Sequence, residues 1–82
     1  MLIRGMPVYY RYETAAGPFF VGVDRSGVFN VLYNDENLGS YPTLHQAIEE
    51  LAEGRVNVNS MGVDPKKLRI PCEVNLWKTV PA

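Results

Sequence analysis

Between residues 7 and 33 the alternation of side chains admits one strand register, and that register constrains everything after it. The segments 7–13, 18–24 and 27–33 are rich in Val, Tyr and Phe, and Gly, Pro, Asp or Asn bounds each one. A slip of one residue in a strand exchanges its two faces, so loop length can be tested against the pattern. A three-residue loop, Arg25-Ser26-Gly27, places Gly27 in the left-handed position after a type I turn. It sets Val23 opposite Phe29, Val21 opposite Val31 and Phe19 opposite Tyr33; a two-residue loop would set Val21 against Asn30. A four-residue first loop, Thr14 to Gly17, sets Tyr12 against Phe19, Tyr10 against Val21 and Val8 against Val23. A loop one residue shorter would turn Arg11 and Glu13 onto the apolar face.

One face therefore collects Val8, Tyr10, Tyr12, Phe19, Val21, Val23, Phe29, Val31 and Tyr33. The other carries Tyr9, Arg11, Glu13, Phe20, Gly22, Asp24, Val28, Asn30 and Leu32. Tyr9, Phe20 and Leu32 cluster in the middle of that second face, which is unusual for a surface left to water. Either the tail or a partner covers them.

After a turn at 34–37 and a short fourth strand at 37–41, Thr43 and Gln46 form a capping box. Leu44, Ala47, Ile48, Leu51 and Ala52 recur on one helical face, and Gly54 stands where a left-handed C-cap belongs. The spacing predicts a helix over 44–53, laid across the aromatic-rich sheet face. Residues 55–80 hold too many apolar groups for a free tail, Trp77 above all. They are expected to form an ordered wrapping segment. It should contain a short turn capped by Asp64-Pro65, a short helix or strand around 72–78, and a portion lying over Tyr9, Phe20 and Leu32. The expected fold is α+β: a three- to four-stranded antiparallel meander with one helix on one face, in a single domain over 1–82 whose sheet-plus-helix core is 1–54.

The chain has 82 residues, eight Lys and Arg, nine Asp and Glu, one His and one Cys. A net charge of −1 excludes a strongly basic nucleic-acid footprint for the whole chain. A single Cys72 excludes an internal disulfide, and one His with one Cys argues against a zinc site of N and S ligands. No run of 7–15 apolar residues follows Met1-Leu2-Ile3-Arg4-Gly5-Met6, so no export signal is expected. Together with the lone thiol, expected to be a half-buried small hydrophobe, this points to a reducing, cytoplasmic setting with no membrane partner.

Catalytic constellations are missing. His45, the only His, sits in the first helical turn, where it reads as a solvated residue rather than a catalytic base. Ser26, Ser40 and Ser60 lack a nucleophile-elbow context, and the glycines are spaced as turns rather than as a phosphate cradle. Glu49, Glu50 and Glu53 read as a solvated helix face. Only Lys66, Lys67 and Arg69 bunch among the cations. No enzyme activity, cofactor or metal is expected.

Two resemblances follow from these landmarks. The Gly27 hairpin, Leu38-Gly39-Ser40-Tyr41, Ala47, Gly54, Gly62-Val63-Asp64, Leu68, Ile70-Pro71 and Trp77 resemble, across most of the chain, a group of small bacterial proteins with no assigned activity. That resemblance implies a shared fold and a bacterial or phage-related origin. Residues 8–53 are similar in plan to AP2-like DNA-binding domains, including those at the N-termini of tyrosine integrases. In those domains a three-stranded sheet leads to one helix through a segment similar to Leu38-Gly39-Ser40-Tyr41-Pro42-Thr43. The family's free sheet face enters the major groove with Arg and Trp. Here the same face offers Arg11 and Asn30 beside Glu13, Asp24 and Phe20, with no Trp, so nucleic acid is a disfavoured partner.

The expected function is a non-enzymatic protein-interaction or regulatory module that meets a protein partner or a second copy of itself. The candidate partner surface is Tyr9, Arg11, Phe20, Asn30 and Leu32 on the sheet, with Lys66, Lys67 and Arg69 in the tail.

Overall fold

Both hairpin registers in the computed structural model are those the alternation predicts. The structure describes residues 8–81; the expectations for residues 1–7 lie outside it. Strand β1 (Val8–Thr14) pairs with β2 (Gly17–Val23) so that Tyr12 faces Phe19 and Tyr10 faces Val21. Thr14 also pairs with Gly17, which tightens the first loop to Ala15-Ala16 without changing the register. Strand β3 (Phe29–Tyr33) faces β2 through Val23–Phe29, Val21–Val31 and Phe19–Tyr33. Gly27 has φ +86°, a conformation that a Cβ would strain, and its N–H donates to the Asp24 carbonyl across the turn. β3 therefore begins two residues later than the composition alone suggests.

Asp24 fastens this turn. Its carboxylate accepts from the Ser26 N–H at 2.9 Å, the Ser26 hydroxyl at 2.6 Å, the Val28 N–H at 3.1 Å and the Asn30 amide at 3.3 Å. These donors, the Ser26 hydroxyl first, lower its pKa from 3.8 to about 2. A depressed folded-state pKa contributes stability above the unfolded value, and that stability is lost as pH falls through the folded value. The urea midpoint of the native chain should therefore drop more steeply between about pH 4 and about pH 2 than that of Asp24→Asn, which no longer titrates there. Parallel midpoint-against-pH curves for the two proteins would refute the Asp24 turn.

Asn34 and Asp35, with φ 51° and 65°, make a two-residue turn into β4 (Glu36–Tyr41). The β3–β4 ladder slips between Val31 and Leu32, leaving Leu38 as an extra residue without a strand partner. The bulge turns Leu38 into the core, 1% exposed, and frees its carbonyl to accept the Asn57 N–H at 2.9 Å.

Helix α1 (Leu44–Ala52) starts at Thr43, whose hydroxyl accepts the Gln46 N–H at 3.1 Å. Among the described residues the reciprocal Gln46 half of the capping box does not form. Ala47, Ile48 and Leu51 are fully buried against Phe19, Val21, Val31, Tyr33 and Leu38. Phe19 and Tyr33 stack at 4.3 Å, and the Tyr33 hydroxyl donates to the Ala16 carbonyl. Glu53 caps the helix, and Gly54 follows with φ +74°.

The tail is ordered, as expected, but its route differs. One 3-10 turn (Pro65–Leu68) is capped by the Asp64 carboxylate on the Lys66 N–H, and a second spans Val74–Leu76. A fifth strand, β5 (Lys78–Pro81), pairs antiparallel with β1, giving the sheet order β4-β3-β2-β1-β5. Trp77 packs on the helix side, its ring 5.6 Å from Tyr12 and its Nε1 donating to the Pro71 carbonyl at 3.2 Å. The expected cover over Tyr9, Phe20 and Leu32 is therefore corrected. The tail's apolar groups Val56, Leu68, Ile70, Val74 and Trp77 join the core between sheet and helix, where more apolar surface is buried. Of the tail, β5 alone among the described elements reaches the second face, with Val80 opposite Tyr9 and Lys78 opposite Arg11. Cys72 is exposed rather than half-buried.

Candidate functional site

The second sheet face is read from the ladder. Val80, Tyr9, Gly22, Asn30 and Ser40 align across the five strands, and beside them Lys78, Arg11, Phe20, Leu32 and Asn37 form a parallel row. The sequence-predicted residues Tyr9, Arg11, Phe20, Asn30 and Leu32 thus do share one surface. Among the described residues no helix or turn packs on it: the apolar residues of α1 and of the tail's turns belong to the core on the other side. Tyr9 and Phe20 meet edge to face at 5.5 Å, a favoured aromatic geometry. Leu32 is 3% exposed and forms the floor of the apolar strip.

Asn30, expected on the partner surface, is buried instead. It is 7% exposed and is held from three sides. Its amide donates to Asp24 and to the Val28 carbonyl, while its side-chain oxygen accepts from Asn37 at 3.2 Å and from the Ser40 hydroxyl at 2.6 Å. This network ties the β2–β3 turn to β4 and makes Asn30 a structural part of the face. Arg11 pairs with Glu13 at 2.5 Å, which neutralises one of the two cations in its row.

Lys66, Lys67 and Arg69 do not join this surface. Pro65 is buried and Leu68 packs on the core, so their turn belongs to the helix side of the sheet. Arg69 adopts φ 56°, the left-handed position that ends the turn. Among the described residues no group of three His, Cys, Asp or Glu side chains could hold a metal, and no helix is long and apolar enough to cross a membrane. His45 is exposed. Glu50 is occupied by Arg55 through three hydrogen bonds of 2.9 to 3.2 Å, and this partner lowers its pKa.

The edges of the sheet are poorly suited to strand addition. Thr14–Gly17 closes a two-residue turn, so Thr14, Tyr12 and Tyr10 direct their amides to β2, and Arg11 and Tyr9 direct theirs to Lys78 and Val80. Thr79 and Pro81 are then the outward residues of β5, and proline has no N–H to donate. On the β4 side, the Leu38 carbonyl is taken by Asn57, and the Glu36 carboxylate by the backbone and hydroxyl of Ser60.

Sequence reasoning missed the loop that makes these last contacts. Asn59 is 3% exposed; its side chain accepts the Met61 and Val63 N–H groups and donates to the Val63 carbonyl at 2.8 Å. It pins a loop on which Val58 and Met61 stand 88% and 62% exposed. The local signal was Asn59-Ser60 with Gly62 two residues on, which marks a turn but not which side chains it presents. A comparison with protein-family models, with characterised proteins and with solved structures finds no match to this chain.

Proposed function

We propose that this chain is a non-enzymatic protein-interaction module that works through the second sheet face. The observation that supports it most is the half-exposed pair Tyr9 and Phe20 above a buried Leu32, on three adjacent strands with no described helix or turn packed upon them. Strands fix these side chains in place, and rigid aromatic groups inside a polar rim are the usual centre of a protein contact. Arg11, Glu13, Lys78 and the Asn37–Ser40 edge supply such a rim.

A second reading, DNA binding in the manner of an AP2-like domain, is favoured by one feature. The helix covers one face of β2–β4 and leaves Arg11 of β1 on the other. Against it, Glu13 occupies Arg11, and the net charge of −1 supplies no long-range steering. An anisotropy titration with mixed-sequence duplex at about 50 and about 200 mM salt decides between them. Binding weaker than roughly 10⁻⁴ M is expected. Micromolar affinity with a steep salt slope, lost in Arg11→Ala, would replace the module reading with the DNA reading. A protein partner captured by the native chain should in turn be lost with Phe20→Ala, provided both proteins melt alike.

A further inference from the structure

We infer that the outer edge of β1 is a strand-docking site masked by β5, and that its partner is an extended peptide segment of another protein carrying a carboxylate where β5 carries Lys78. The site adjoins the sheet face but does not depend on it, because it is built from the backbone of one edge. Three observations carry the inference. First, β5 is lightly held. It is four residues long and pairs with β1 alone. Lys78 and Thr79 are exposed and Val80 is half-buried, whereas the buried anchor, Trp77, precedes the strand. The Trp77 N–H and indole bond Val74 and Pro71, so β5 leaves the ladder without breaking those bonds. The outer side of β5 offers Thr79 and a proline to a further strand, so docking is an exchange of β5 for the partner rather than an addition to it.

Second, the β1–β5 ladder contains a charge mismatch. Lys78 stands directly opposite Arg11. Side chains so placed have Cβ atoms roughly 5 Å apart, and like charges there are destabilising. Among the described residues Lys78 forms no ion pair, while Arg11 turns along its own strand to Glu13. Glu13 lies two residues further on, hence diagonal to Lys78, and Asp24 is bound into its own turn beyond β2. Third, the edge beneath β5 is a complete acceptor. Tyr9 and Arg11 direct their amides to it, and both side chains are half-exposed beside it. An extended segment recognises such an edge through its backbone and reads it through alternate side chains. A carboxylate in the place of Lys78 lies nearer to Arg11 than to Glu13, so repulsion becomes attraction. An aliphatic residue two positions on packs against Tyr9, as Val80 does.

The test titrates the isotope-labelled full chain with two synthetic peptides of residues 74–82, one of native sequence and one with Lys78→Glu, followed by amide resonances. The tethered β5 competes at an effective concentration in the mM range, so the titration runs to about 5 mM. The Lys78→Glu peptide should shift the Tyr9 and Arg11 amides and bind roughly threefold or more tighter than the native one. Within the full chain, Lys78→Glu should close the site on itself. The Tyr9 and Arg11 amide protons should then exchange roughly threefold or more slowly, and those of Tyr10 and Tyr12, directed to β2, should not change. Lys67→Glu makes the same charge change at an exposed residue of the first tail turn and should alter neither readout. Equal affinity of the two peptides, shifts that spare Tyr9 and Arg11, or unchanged exchange in Lys78→Glu would each overturn the inference. Phe20→Ala should keep the peptide response even where it abolishes capture by the sheet face. A response lost in Phe20→Ala would place the peptide on the face and likewise overturn the edge site.

Discussion

Trp77→Ala lowers the stability of the chain by about 3–5 kcal/mol, the usual cost of deleting a buried indole. Trp77 is 5% exposed and closes the core at the end where helix, tail and β1 meet. Its ring lies on Tyr12, its Nε1 bonds the Pro71 carbonyl, and its own N–H bonds Val74. Truncation therefore removes packing and leaves a carbonyl without its donor. β5 follows Trp77 directly, so the loss also loosens the strand that pairs with β1. A domain of this size has a total stability on the order of 5–15 kcal/mol, so the loss removes a large share of it. Thermal melting by circular dichroism, with hydrogen exchange at Val80, checks both effects. A melting temperature within about 4 °C of the native chain, corresponding to under ~1 kcal/mol, would mean that Trp77 does not dock.

Leu51→Ala is the second large effect, at about 2–4 kcal/mol. Leu51 has no exposed surface and shares its cluster with Val21 and Val31 on the sheet. A short helix of nine residues has little stability of its own and depends on that contact. The melting temperature should fall by roughly 10 °C or more. A fall of a degree or less would show that the helix is not packed on the sheet.

Local patterns made much of this fold legible. The two hairpins follow from period-two alternation and from turn residues, because both act between neighbours in sequence. The helix follows from Thr43 and from the spacing of Ala47, Ile48 and Leu51. β5 was not legible, for a physical reason. Lys78-Thr79-Val80-Pro81 has no alternation and ends in proline; it is a strand because β1 offers an unpaired edge. The same holds for Asn30, whose burial depends on Asp24, Asn37 and Ser40 from three separate places in the chain. Val58 and Met61 mislead in the opposite sense. Their hydrophobicity argued for burial, but Asn59 takes the interior position and turns them outward.

The placement of β5 beside β1 also sets an order of events during folding. β1 to β4 and α1 are linked by short-range pairings and are complete once residue 53 or so has been made. The β1–β5 ladder, by contrast, joins Val8 to Pro81, close to the full length of the described chain. Contacts of such sequence separation carry the largest loop-closure entropy and form late. Until that ladder closes, the outer edge of β1 has no strand partner. During that interval the nascent chain displays an unpaired strand and an open seat for Trp77. β5 therefore acts as the latch of the domain, and a chain that lacks it leaves the edge of β1 open to edge-to-edge association.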